Sequence, residues 1–370
     1  MKLDLTADQE LLGRTTRRYL AERCPPAVVR ALEGSPTGFE RDYWRQGAEL
    51  GWTSLLVKET HGGGSVSGAG LADLAVVAEE LGRAVAPGPL VGVNVVGEAV
   101  SDLGRPDQRA KVLPGLLAGD AVAAWSPNLA WDGSGVTAQP AGDDWILAGS
   151  SGPVEGGVGA ELLLVAADTP AGPTQFLVPA ATPGLTVTAR RSLDLVRRFA
   201  TLRFDGCRLP GGAVLGAPGA AGAAVERQLQ VALVLQVAES SGAADRVLEF
   251  TARYAADRYS FGRPLSSYQA LKHRFADMKM WLEACHATAT AAAEAVAARS
   301  GAAAELVSVA KSWVADRTPA IIQDCVQMHG GIGVTWDHDL HLYLRRVTVN
   351  AGLHGTVAQH RERLAALLAV

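Results

Sequence analysis

RYSFGRPLSSYQALKHRFADMKM runs from Arg258 to Met280. One Gly-Arg-Pro break, Gly262 to Pro264, precedes a long stretch whose residues favour helix. A second break, QMHGGIG from Gln327 to Gly333, ends the next long helical run. Neither stretch holds the residues of a catalytic triad, a metal site or a phosphate loop. What such breaks do between long helices decides how the rest of the chain is read.

Outward from Arg258, the chain divides into three by pattern. Residues 1–118 read as helices, from Leu3, Leu5, Leu11 and Leu12 through TTRRYLAER, which stops before Pro25-Pro26. DYWRQGAELGW and LADLAVVAEELGRAVA carry apolar residues at three- and four-residue spacing. Residues 119–217 hold short strand-like runs (AVAAWS, WILAG, AELLLVAA, TQFLVPA, LTVTA, ATLRFDGCRL) separated by Gly, Pro and Asp. That spacing predicts a small β-domain, a barrel or a sandwich. Residues 218–370 return to long, Ala-rich helices divided near Ser300-Gly301. The order is α+β: an N-terminal α-helical domain, a middle β-domain and a C-terminal α-helical bundle. Small residues allow close helix packing in that bundle, which can also serve as an oligomer interface.

Bulk composition excludes several classes. A chain of 370 residues predicts two or three domains. With 48% hydrophobic and 19% charged residues it is a buried globular protein rather than a disordered one. A net charge of -4 gives no nucleic-acid footprint. The first twenty residues carry charges throughout, which argues against a signal peptide. No apolar run reaches the ~18 residues that span a bilayer, so no membrane association is expected. Cys24, Cys207, Cys285 and Cys325 are scattered without CxxC spacing, the pattern of a reduced cytoplasmic protein.

At the first break, the Arg258 guanidinium can pair with a pyrophosphate while Phe261 packs on an adenine or flavin edge. The same residues suit an ordinary helix-helix corner. At the second, Gln327 can bond a nucleotide, and Gly330, Gly331 and Gly333 let the backbone approach it closely. A glycine helix stop explains them as well. His338 and His341, three apart, have no carboxylate or Cys arranged beside them, so no metal site is expected. DHDLHLYLRR reads as a solvated helix face.

Taken together, RYSFGRPLSSYQALKHRFADM and QMHGGIGVTWDHDLHLYLRR resemble the C-terminal half of acyl-CoA dehydrogenases, most of all the actinobacterial branch acting on bulky acyl-CoA esters. AVVAEELGRAVAPGPL and LPGLLAGDAVAAWS resemble that family's helical N-terminal domain and the entry to its β-domain, so the resemblance spans nearly the whole chain. It implies N-terminal helices, a β-barrel-like middle and a C-terminal four-helix bundle. It also implies FAD-dependent α,β-dehydrogenation of an acyl-CoA thioester, with a carboxylate taking the α-proton and the flavin the β-hydride. The resemblance places Arg258, Phe261, Gln327, Gly330, Gly331 and Gly333 against the FAD of a neighbouring subunit, and adds Thr356 to the cofactor-binding set.

The departures from the family pattern are specific. WSPNLAWDGSG (Trp125 to Gly135) has Ser126 where an acidic residue is expected. SGPVEGGVGA (Ser151 to Ala160) lacks the aromatic of the Trp-Ile-Thr run, and no hydroxyl lies between Pro153 and Ala160. Where the family carries its base as Glu-Gly-Thr, this chain has His354-Gly355-Thr356. The alternative base position falls at or near Ala232. Glu226 and Glu239 lie about two turns of helix away from it. His354, a neutral imidazole, is the candidate base; a position released from catalysis is the other reading. Three functions follow: the base-less partner subunit of a hetero-oligomer (a heterotetramer with a paralogous chain), a self-sufficient homo-oligomeric flavoenzyme using His354 or altered chemistry in a biosynthetic pathway, and a flavin-free scaffold.

Overall fold

The computed structural model describes residues 5–129 and 135–369. Leu3 and residues 130–134 of the Trp125–Gly135 run lie outside them. The N-terminal helices are α1 (Ala7–Arg23), α2 (Pro26–Ala31), α3 (Arg41–Glu49), α4 (Gly70–Ala84), α5 (Leu90–Leu103) and α6 (Pro106–Leu117). Thr6 caps α1: its hydroxyl accepts from the Gln9 amide at 3.2 Å, and the Gln9 side chain accepts from the Thr6 amide at 3.1 Å. The helix stops at the Pro pair, and Pro26 restarts the chain as the first residue of α2, where a missing N–H costs nothing. Trp44 and Trp52, fully buried and 6.2 Å apart, anchor this layer.

The middle region is a mixed sheet of β1 (Ala123–Ser126), β2 (Gly135–Ala141), β3 (Asp144–Glu155), β4 (Leu162–Thr169), β5 (Gly172–Pro179), β6 (Leu185–Arg190), β7 (Phe199–Pro210) and β8 (Val214–Leu215). The order is β6-β7-β3-β2-β4-β5-β8, with β1 beside β4. The β1–β4 pairing is parallel; β3–β7, β4–β5 and β6–β7 are antiparallel. Between Ser151 and Val154 the β3–β7 register slips by one residue, a bulge that accommodates Gly152-Pro153 inside a strand.

The last third comprises α7 (Gly222–Asp257), a short hairpin of β9 (Tyr259–Ser260) and β10 (Arg263–Pro264), α8 (Gln269–Ala297), α9 (Ala303–His329), α10 (Leu340–Gly352) and α11 (Val357–Leu368). Helices α4 and α7 meet at main-chain distance. A Cβ on Gly82 would lie 1.9 Å from the Glu239 carbonyl, and one on Gly242 would lie 2.1 Å from that of Glu79. The two glycines permit this crossing.

DHDLHLYLRR is not the solvated face its charges suggest. His338 lies before α10, with its ring centroid 4.6 Å from that of His329. His341 stacks on Trp336 at 4.4 Å. Leu340, Leu342 and Tyr343 are buried, and Arg346 is fully so. Its guanidinium donates to Asp194 (2.5 Å), Glu239 (2.7 Å) and the Ala86 carbonyl (3.1 Å), tying the sheet, α7 and the end of α4 together. A charge can be buried here only because each of its donors is met. All four cysteines are buried and free, and burial pushes Cys24, Cys285 and Cys325 up to about 12. Among the described residues, no helix is long and apolar enough to cross a membrane.

Candidate functional site

A cavity of about 310 Å³ opens where the sheet meets the end of α10. The Gly152-Pro153 bulge of β3 forms one wall and the Gly352–Thr356 turn another; Val91 of α5 and Trp125 of β1 complete it. His354 (φ 59°) and Gly355 (φ 103°) are both left-handed, which reverses the chain from α10 into α11. A Cβ at Gly355 would sit 2.7 Å from His360 Nε2, so only glycine fits. That same Nε2 donates to the His354 carbonyl at 2.9 Å. Lys311 supports the turn from below, donating to Gln236 Oε1 (2.5 Å), the Leu353 carbonyl (2.9 Å) and the Asn350 carbonyl.

These contacts set the electrostatics. Burial, reinforced by the Lys311 and Arg197 cations, pushes the His354 imidazole down to about 3. Burial with Arg197 nearby pushes Lys311 down to about 7. His354 therefore lines the cavity as a neutral, weakly basic ring, its centroid 5.4 Å from that of Trp125. Thr356 caps α11, accepting from the Gln359 amide at 3.3 Å. Its hydroxyl serves the helix, and the residue also lines the cavity. Ser126 and Ser151 share a buried 2.6 Å hydrogen bond, so the position where an acid was expected holds a neutral hydroxyl pair.

Sequence reasoning missed Glu155. It ends β3, lines the cavity, and lies 3.2 Å from Arg197 Nε. Burial raises its carboxyl above the usual range despite Arg197. Its one signal in the sequence is a lone acid in PVEGG. The other two carboxylates weighed from sequence are already engaged. Glu226 accepts from Gln230 (2.7 Å) and Arg363, and Glu239 from Arg197 (2.6 Å) and Arg346. Among the described residues, neither lines this cavity. Ala232 is fully buried.

The other predicted residues lie elsewhere, on the bundle. Arg258 ends α7, exposed, and Phe261 stands 98% exposed with φ 51° at the tip of the β9–β10 hairpin. Gln327, Gly330 and Gly331 are exposed at the end of α9, and a Cβ at either glycine would meet nothing within 4 Å. Gly333 is buried, its Cβ position 2.6 Å from the Val326 carbonyl. Tyr254, one turn before Arg258, stacks on His329 at 4.3 Å and so joins the two breaks. Arg258, Phe261, Gln327, Gly330 and Gly331 are thus exposed at two helix breaks joined by that stack, while His354 and Thr356 line the cavity. The outer group suits a phosphate-bearing cofactor reached from outside the chain. Of the Pro153–Ala160 run, Pro153, Val154 and Glu155 line the cavity, and they bring it neither hydroxyl nor aromatic ring.

One further cluster unites potential ligand atoms: those of Glu79, Asp245 and His286, all buried, lie within 4.8 Å of one another. Arg83 already lies 3.4 Å from Asp245, so a cation is built into this group.

The acyl-CoA dehydrogenase N-terminal domain matches residues 6–120 and the C-terminal domain residues 221–369. The chain belongs to the acyl-CoA dehydrogenase family, whose members are oxidoreductases acting on the CH–CH group of acyl-CoA thioesters. It is 30% identical to the acyl-CoA dehydrogenase IpdE2 of Mycolicibacterium smegmatis, over 98% of this chain and 99% of that protein. It is 32% identical to FadE34 of Mycobacterium tuberculosis over 98% of this chain but only 47% of that longer protein. Among solved structures, the Tcur3481-Tcur3483 steroid ACAD superposes with TM-score 0.87 at 31% identity, covering 98% of this chain and 97% of that one. The ChsE4-ChsE5 complex of Mycobacterium tuberculosis gives 0.91 at 27%, covering 100% and 99%. A glutaryl-CoA dehydrogenase from Mycobacterium smegmatis in complex with FADH2 gives 0.87 at 25%, covering 99% and 96%.

Proposed function

We propose that this chain is the base-less, flavin-supporting partner subunit of a hetero-oligomeric acyl-CoA dehydrogenase. The carrying observation is the split in the site. Arg258, Phe261, Gln327, Gly330 and Gly331 remain open on the outer face, where they would hold the FAD of a paralogous chain. The chain's own cavity has His354 where a carboxylate base belongs, and its imidazole at about 3 is too weak an acceptor for an α-proton at neutral pH. FAD supplies the hydride acceptor when bound. This chain's part is to grip its pyrophosphate with a fork-shaped guanidinium and to exclude water. Two comparisons support the pairing. FadE34 matches this chain with under half its length, and ChsE4-ChsE5 is a complex of two differently named chains. The steroid ACAD neighbour favours a bulky acyl-CoA thioester as the substrate of the assembled enzyme.

The second reading, a self-sufficient homo-oligomer, is favoured by one observation: a cavity of about 310 Å³ with His354 on its wall. The flavin content of the chain purified alone, and of the chain co-expressed with a paralogous subunit, separates these. The partner reading expects little FAD alone and one FAD per pair of unlike chains in the complex. A yellow homodimer with one FAD per chain overturns it, and a complex without flavin leaves only the scaffold. In the partner reading His354→Glu adds no second active site, because the cavity wall also lacks its flavin contacts; a doubling of active sites per complex contradicts this.

A further inference from the structure

The cavity beside His354 has a smaller neighbour, and its filling is unusual. A slot between α4, α5 and α7 is walled by Ala78, Leu81, Ala86, Leu90, Val91 and Leu235, all apolar. It shares Val91 and Glu155 with the outer cavity, so the two lie on opposite sides of the same residues. Yet its free volume is only about 10 Å³, room for about one water. The rest is filled by charge. Arg197 reaches in from the loop before β7 and pairs with Glu155 (3.2 Å) and Glu239 (2.6 Å), while also donating to Asn350. Glu239 is held in turn by Arg346 at 2.7 Å and Asn350 at 2.8 Å.

Apolar walls on three helices form a surface suited to hydrocarbon. A guanidinium spanning two carboxylates within it opposes hydrocarbon entry. Displacing Arg197 would strand Glu155 and part of Glu239 as buried, uncompensated charges. Parting the helices instead would break the main-chain contact of α4 and α7 at Gly82 and Gly242.

We infer that the Arg197–Glu155–Glu239 bridge is a plug that closes this chain's own slot to acyl chains, with Arg197 and Glu155 as the residues that set the exclusion. The inference rests on the family reading of the cavity and deepens the partner proposal: the chain lacks room for an acyl tail as well as a base.

The test compares decanoyl-CoA with CoA by titration calorimetry on the full chain, and xenon uptake in crystals of the same proteins. Neither readout depends on flavin or on a partner, so failure here is distinct from failure of the partner proposal. The wild-type chain binds decanoyl-CoA within about threefold of CoA, or binds neither, and takes no xenon between α4, α5 and α7. Replacing the pair together, Arg197→Ala with Glu155→Ala, removes one charge of each sign and leaves Glu239 with Arg346. That variant takes xenon in the slot, and where CoA binds it prefers decanoyl-CoA at least tenfold. Should it not fold, Arg197→Leu with Glu155→Ala restores apolar packing and carries the same expectation. A tenfold acyl preference or slot xenon in the wild type overturns the plug, as does a folded double variant that takes no xenon.

Discussion

Tyr254 lies flat against His329, ring centroids 4.3 Å apart and planes 19° from parallel. One residue belongs to the end of α7 and the other to the end of α9, so a single stack fixes the distance between the two helix breaks. Tyr254→Ala lowers stability by about 0.5–1.5 kcal/mol beyond the area lost, and Tyr254→Phe, which keeps the stack, by much less. Equilibrium urea unfolding of the two variants measures the difference.

The exposed Arg258 carries a prediction for the assembled complex. Arg258→Ala weakens FAD retention by about 1.5–3 kcal/mol, the worth of a charge-assisted hydrogen bond. Arg258→Lys recovers only part, since a point charge does not reproduce the fork. Flavin release followed by fluorescence gives both constants, and unchanged retention removes Arg258 from the site.

The two imidazoles of the turn make the protein acid-sensitive. Burial pushes His354 down to about 3 and His360 to about 4, against about 6.5 in the unfolded chain. Between those values the unfolded chain binds protons that the folded one refuses. Stability therefore falls as pH drops from about 6.5 toward 4. His354→Asn reduces that slope by about one proton. Unfolding free energies at several pH values, wild type against variant, check it; identical slopes contradict the burial of His354.

Lys311 acts in the opposite pH range. Its folded value is pushed down to about 7 while the unfolded chain keeps about 10.4. The unfolded chain again binds the extra proton, so stability attributable to Lys311 rises with pH from about 7 to 10. Lys311→Met abolishes that rise, and it frees the carbonyls of Asn350 and Leu353, loosening the His354 turn. Melting temperatures of both proteins across this range, taken as differences, read the effect.

Arg346 bears the largest single stability load expected here. Arg346→Leu leaves Asp194 and Glu239 buried with fewer partners and costs about 3–5 kcal/mol. Chemical denaturation measures it, and a loss below about 1 kcal/mol shows the network is redundant.

Much of this architecture is written locally. The Pro pair ends α1, three- and four-residue periodicity marks α4, and the apolar runs became β1 and β3 to β7. Local pattern could not reveal β2, whose GVTAQPA is polar and alternates weakly, or β8, which is two residues long. Nor could it show that Arg346 of LYLRR is buried, because its carboxylate partners come from positions 194 and 239 and only the fold unites them. The candidate site was legible in its residue types and not in its grouping. Arg258 and Gln327 read as partners by motif, but the link between their two helix ends is the Tyr254–His329 stack, which no local pattern shows. Glu155 escaped because a carboxylate gains meaning only when a cavity is seen in front of it.

The four buried thiols turn the molecule into its own clock. Cys24 sits beneath the N-terminal helices, Cys207 in β7, and Cys285 and Cys325 inside the bundle. Burial holds Cys24, Cys285 and Cys325 near 12 and raises Cys207 as well, so at neutral pH these thiols are protonated and shielded from reagent, and each becomes modifiable only when its own layer opens. Timed alkylation followed by peptide mass analysis would rank the layers by how readily they breathe. Repeating it in the assembled enzyme would reveal which layer a neighbouring subunit holds shut.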